Sequence, residues 1–176
     1  TKREVEGIAK HNGPVLLPHP PALLEYNVQH DLELQTYASA EAQVAALADD
    51  IAYINHDLHD GLRAGLFTDA QADQLPIVGP AFSEVDHNYK TLDKNRRRHE
   101  ALRRVFGAMV EDVIFTSHDL LIQSGANSAQ DIRNRDYSVI QFSANIWQNL
   151  KEIRIFLFEN MYRAPRVIEQ REHAAK

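Results

Sequence analysis

The chain has 176 residues, of which 25 are acidic and 19 basic, a formal net charge of −6, and no cysteine. That length suits one domain with a sizeable core, the missing thiols exclude disulfides and cysteine-based zinc sites, and the acidic balance argues against a general nucleic-acid binder, whose phosphate affinity needs a basic surface. No stretch approaches the about 18 consecutive apolar residues of a membrane span, and the charged opening Thr1–Glu6 does not read as a secretory leader. The expectation is a cytoplasmic protein, and the missing initiator Met suggests a sequence that begins inside a longer one.

In chain order the reading is helix after helix. Residues 1–10 read as a helix, which the prolines at 14, 18, 20 and 21 cannot continue. Residues 22–38 read as a loop with short turns. From Glu41 to Leu66 the apolar residues Val44, Leu47, Ile51, Ile54, Leu58 and Leu62 recur every three or four positions, which is helix spacing. Ser39 is placed to cap that helix, Glu41 suits its first turn, and Gly61 and Gly65 weaken its far end.

A short helix is expected over 69–74, and another from Pro80 to about Leu92. A long helix then runs from Lys94 to Gln123, with Leu102, Val105, Phe106, Met109, Val110, Val113 and Ile114 on one face and Gly125 as its stop. Residues 128–135 suit a short helix, and Tyr137–Phe142 is an extended apolar run. The last strong helix spans Ala144 to Tyr162, with Ile146, Leu150, Ile153, Phe156 and Leu157 inward, before Pro165 interrupts it. The pattern predicts an all-α fold, a single helical domain over residues 1–176 held by helix–helix packing.

Chemistry, if present, belongs to the helix from 41 to 66. Asp49, Tyr53, Asp57 and Asp60 share one face roughly opposite Ile51 and Leu58, with His56 flanking it, and the first three, at i, i+4 and i+8, extend for about 12 Å. Clustered carboxylates and imidazole are the ligands that hard or borderline divalent cations use. A solvated helix face shows the same pattern, so spacing alone leaves both readings open. The adjacent pairs His56-Asp57 and His59-Asp60 point about 100° apart and are not preset to share one ion. Lys90 and the run Lys94-Asn-Arg-Arg-Arg-His99 suit a solvated surface or a phosphate site, Arg63 suits pairing with Asp57 or Asp60, and Trp147 suits helix packing.

The stretch Glu41-Ala-Gln-Val-Ala-Ala-Leu-Ala-Asp-Asp-Ile-Ala-Tyr53, continuing through Asn55-His-Asp-Leu-His-Asp-Gly-Leu-Arg-Ala-Gly-Leu66, resembles the helix that supplies the last aspartate of the HD signature in bacterial dGTP triphosphohydrolases. Three further segments resemble the same family in the same order: Gly7-Ile-Ala-Lys-His-Asn-Gly-Pro14, Gly107-Ala-Met-Val-Glu-Asp-Val113 and Phe156-Leu-Phe-Glu-Asn-Met-Tyr-Arg-Ala-Pro-Arg-Val167. The resemblance covers most of the chain and corresponds to the C-terminal half of such a protein.

It implies a partial HD-domain-like fold of orthogonally packed helices, and a divalent metal, magnesium or manganese, to which Asp49 contributes the final ligand. It also implies that Tyr53 packs beside the deoxyribose and that Asp57 contacts the sugar 3′-hydroxyl. The upstream histidine and His-Asp dyad of the family have no counterpart here. The implied reaction cleaves a deoxynucleoside triphosphate to deoxynucleoside and triphosphate, in a homo-oligomer, with this half alone inactive. Two alternatives stand beside it: a non-catalytic nucleotide-sensing or oligomerisation subunit, and a helical interaction domain whose acidic face meets only water.

Overall fold

Thr1 opens the first helix with a capping box: its hydroxyl accepts the Glu4 N–H while the Glu4 carboxylate takes the Thr1 amino group, so α1 runs Lys2–Ala9. The computed structural model describes residues 1–174, which carry helices and no strand. The chain divides into two compact units, Thr1–Asp50 with Val113–Gln141, and Ile51–Asp112 with the described residues from Phe142 onward.

The first unit contains α1, α2 (Pro21–Gln29), residues 40–50 of α3 (Ala40–Ala64), the end of α6 (Lys94–Ser124) and α7 (Ala129–Arg133). A helix at Pro21–Gln29 replaces the loop expected over residues 22–38. Pro21 sits at its first position, where a missing N–H costs nothing, and none of its side chains is buried, so no apolar stripe announces it. Ser39 caps α3 as expected, its hydroxyl accepting the Ala42 N–H at 3.5 Å. Ile132, Val139 and Ile140 form a buried cluster against which Ala40, Leu47, Val113, Ala126 and Tyr137 pack.

The same unit holds an ion network. Lys10 is fully buried and donates to the Glu33 and Tyr37 carbonyls at 3.2 and 3.1 Å and to the Thr36 hydroxyl at 3.0 Å. Its ammonium pairs with Glu6 at 3.0 Å, and Glu6 accepts two further bonds from the Arg133 guanidinium at 2.8 and 3.1 Å. The run 137–142 is irregular, and Gln43, also buried, supplies its missing partners.

The second unit contains residues 51–64 of α3, α4 (Asp69–Ala72), α5 (Val78–Asn88), the start of α6, α8 (Ala144–Leu157) and α9 (Pro165–Ala174). Its buried side chains include Ile51, Ile54, Leu58, Phe67, Phe82, Val85, Leu102, Val105, Met109, Leu150, Ile153 and Leu157. α5 begins two residues before Pro80, after a tight turn in which the Val78 N–H reaches the Pro76 carbonyl and Ile77 takes a φ of 66°. On α6 the apolar stripe is narrower than its composition suggests: Leu102, Val105 and Met109 are buried, whereas Phe106 and Ile114 are exposed. Pro165 starts α9 rather than only ending its predecessor, again because proline is tolerated at a first helical position. Among the described residues no helix is long and apolar enough to cross a membrane.

Candidate functional site

α3 positions the three residues singled out in the sequence. Asp49 lies in its first-unit portion with the side chain exposed. Among the described residues no group of three or more His, Cys, Asp or Glu side chains is placed to hold a metal ion. Asp49 alone is insufficient to form such a centre, since a hard divalent cation takes several oxygen donors.

Tyr53 and Asp57 belong to the second unit. Tyr53 is 57% exposed on α3. Asp57 is half-buried and accepts a hydrogen bond on Oδ2 from the hydroxyl of Tyr162. The Tyr162 phenol is also engaged by Tyr53. Burial first, then the bonds to Asp57 and Tyr53, push Tyr162 well above the ordinary tyrosine range, so it stays protonated and remains a donor.

Tyr162 arrives by a change of helical pitch. α8 ends at Leu157 and continues as a π-helical turn, Phe158–Tyr162, in which the Arg163 N–H reaches back five residues to the Phe158 carbonyl at 3.1 Å. Asn160 donates its side-chain amide to the Phe156 carbonyl at 2.9 Å. Such turns insert a residue and rotate everything after them. The spacing over Ala144–Tyr162 reads as one α-helix to its end, and Tyr162 stands 105 residues from its partner, so no periodic signal links the two.

The basic run at the start of α6 faces acidic partners of its own unit. Arg97 makes a two-point bond to Asp86 at 2.6 and 2.7 Å and lies over the Phe82 ring. Arg98 bonds Asp69 at 2.5 Å and the Leu62 carbonyl at 3.0 Å, while Arg104 bonds Glu84 and Glu100, each at 2.9 Å. A surface cavity of about 490 Å³ opens nearby, lined by His59, Tyr89, Leu92, Asn95, Arg96, His99 and Glu100. Of the two carboxylates proposed as partners of Arg63, Asp57 receives Tyr162 and Asp60 receives His59 at 3.4 Å. Trp147, read as packing, is 41% exposed, with Lys151 and Arg154 over its ring. Those cations cover the indole face, so the ring does not have to enter the core.

No family model matches the chain. Curated relatives do: it is 59% identical over 175 residues, 99% of its length, to a deoxyguanosinetriphosphate triphosphohydrolase-like protein of Ruegeria sp. (strain TM1040). Proteins of the same name from Cereibacter sphaeroides (strain ATCC 17029 / ATH 2.4.9) and Paracoccus denitrificans (strain Pd 1222) are 60% and 55% identical over 97% and 100% of the chain. The chain is homologous to the C-terminal half of these proteins. It spans about half the length of the curated relatives it matches, 46%, 45% and 47% of the three respectively. The family resemblance drawn from four ordered segments thus extends along nearly all of the sequence.

Proposed function

We propose that this chain is the C-terminal half of a metal-dependent hydrolase that converts deoxynucleoside triphosphates, dGTP among them, to deoxynucleoside and triphosphate. The observation that carries this reading is identity of 55–60% along 97–100% of the chain with proteins named deoxyguanosinetriphosphate triphosphohydrolase-like. Asp49 contributes a carboxylate to a magnesium or manganese centre whose other ligands, a histidine and a His-Asp dyad, come from the N-terminal half. A cation so held supplies activation of water and neutralisation of phosphate charge. Tyr53 packs its exposed ring beside the deoxyribose, and Asp57 accepts the sugar 3′-hydroxyl on the oxygen that Tyr162 does not use. The HD-type arrangement, homo-oligomerisation and a cytoplasmic setting are part of the same proposal.

The 176-residue half alone is expected to be inactive, because one carboxylate cannot hold the metal. The test is made on the full-length protein, following triphosphate release from each of the four deoxynucleotides, together with metal content. Asp49→Ala is expected to lower bound metal and abolish turnover. Metal content unchanged by that substitution would remove Asp49 from the centre. A wild-type protein that binds metal and deoxynucleotides without releasing triphosphate would instead be a nucleotide sensor.

A further inference from the structure

We infer that Tyr162 is a positioning residue for deoxyribose recognition: through its hydroxyl it fixes the Asp57 carboxylate that meets the sugar. This rests on the proposed roles of Tyr53 and Asp57 and adds a third residue that lies 105 positions from Asp57, on another helix. Three observations converge on it. Tyr162 donates to Oδ2 of Asp57, which leaves Oδ1 to accept a ligand hydroxyl. Tyr53, one helical turn before Asp57, lies close enough to help hold the same phenol protonated. The π-helical turn Phe158–Tyr162 rotates the chain where Tyr162 leaves α8, and π turns are frequent at functional sites.

The physical advantage is preorganisation. A half-buried aspartate on a helix face can swing among rotamers, and each that points away from the sugar must be abandoned on binding. A phenol donor held by an ordered backbone turn selects one of them before the ligand arrives. A carboxylate that already accepts one hydrogen bond and keeps one oxygen open is suited to a single further hydroxyl, which is what a 2′-deoxyribose offers at its 3′ carbon.

The test uses full-length wild-type protein, Y162F and D57N, and two ligands, dGTP and 2′,3′-dideoxyGTP, with equilibrium binding and turnover measured for each. Y162F removes one oxygen and keeps the ring. It is expected to weaken dGTP binding about tenfold while leaving dideoxyGTP nearly unchanged, so that the preference shown by wild type collapses as it does in D57N. Retention of the wild-type preference by Y162F, equal loss for both ligands, or a wild-type protein that does not distinguish them would each overturn the inference. Turnover separates this from the hydrolase reading, because absent hydrolysis with an intact binding preference sinks that reading and leaves the role of Tyr162 standing. If Y162F does not fold, 3-fluorotyrosine at position 162 of the otherwise unaltered protein is read by fluorine NMR. Its resonance is expected to move with dGTP and not with dideoxyGTP, and the same displacement with both would overturn the inference.

Discussion

The side-chain oxygen of Gln43 accepts the backbone N–H of Val139 at 3.0 Å, and it takes the N–H of Ile140 at 3.1 Å and the hydroxyl of Ser138 at 2.7 Å as well. Its amide nitrogen donates to the Ala38 carbonyl at 2.8 Å. One buried side chain thus does for residues 138–140 what a sheet ladder would otherwise do. Gln43→Ala strands two backbone donors beside the Ile132, Val139 and Ile140 cluster, and each unsatisfied donor costs about 1–3 kcal/mol. The expected loss is about 2–4 kcal/mol in urea unfolding, with faster hydrogen exchange at Val139 and Ile140. A loss below about 0.5 kcal/mol would show that water replaces the glutamine.

The Arg133–Glu6–Lys10 network gives a prediction with a sign in pH. Burial would raise the Glu6 pKa, but the bonds from Arg133 and Lys10 outweigh it and hold the carboxyl below its ordinary 4.5. A carboxylate with a depressed folded-state pKa contributes stability that is fully present above its unfolded value and is lost as pH falls through the folded value. The acid limb of the stability profile below about pH 4.5 is therefore expected to be shallower in Glu6→Gln than in wild type. Lys10→Met leaves Glu6 paired only with Arg133 and the carbonyls of Glu33 and Tyr37 without their donor, and a broken buried pair typically costs about 3–5 kcal/mol. Chemical denaturation across pH 3–7 measures both effects.

Much of the helical order was legible because it rests on local rules. Ser39 and Gly125, with a φ of 60°, mark helix ends where the sequence puts them, and α3, α6 and α8 follow their apolar spacing. What escaped depends on partners far along the chain or on geometry that composition does not encode. α2 buries no side chain, so periodicity is silent there. Ile77 adopts a positive φ that a β-branched residue ordinarily avoids, so the residue that makes the turn does not announce it. Of the candidate site, Asp49, Tyr53 and Asp57 were readable as one helix face, while Tyr162 was not, because a π turn breaks the period that would have been used to place it.

Arg98 tests whether the basic run of α6 is structural. Its guanidinium bonds Asp69 and also caps the C-terminal end of α3 through the Leu62 carbonyl, with the side chain only 15% exposed. Two hydrogen bonds in fixed directions suit the planar fork of arginine and not the single ammonium of lysine. Arg98→Lys is expected to destabilise by about 1–2 kcal/mol and Arg98→Met by about 2–3 kcal/mol, both seen as lower melting temperature at unchanged triphosphate affinity. Weakened triphosphate binding at unchanged stability would instead place Arg98 at the phosphates.

Two helical glycines are expected to respond to the same substitution with opposite signs. At Gly61 an added Cβ would fall 2.1 Å from Cε1 of Phe67, a ring that is 2% exposed and stacks edge-on against Phe156 at 4.9 Å between centroids. The ring cannot retreat without opening that contact, so Gly61→Ala forces overpacking worth about 1–3 kcal/mol, more than the helix propensity gained. At Gly107, inside α6, nothing lies within 4 Å of the added methyl, and alanine restricts the unfolded chain while favouring the helix. Gly107→Ala is expected to stabilise by about 0.5–1 kcal/mol. Thermal melts of the two variants side by side decide the matter, since propensity alone predicts stabilisation in both. A stabilised Gly61→Ala would mean that Phe67 does not pack on the α3 backbone as described.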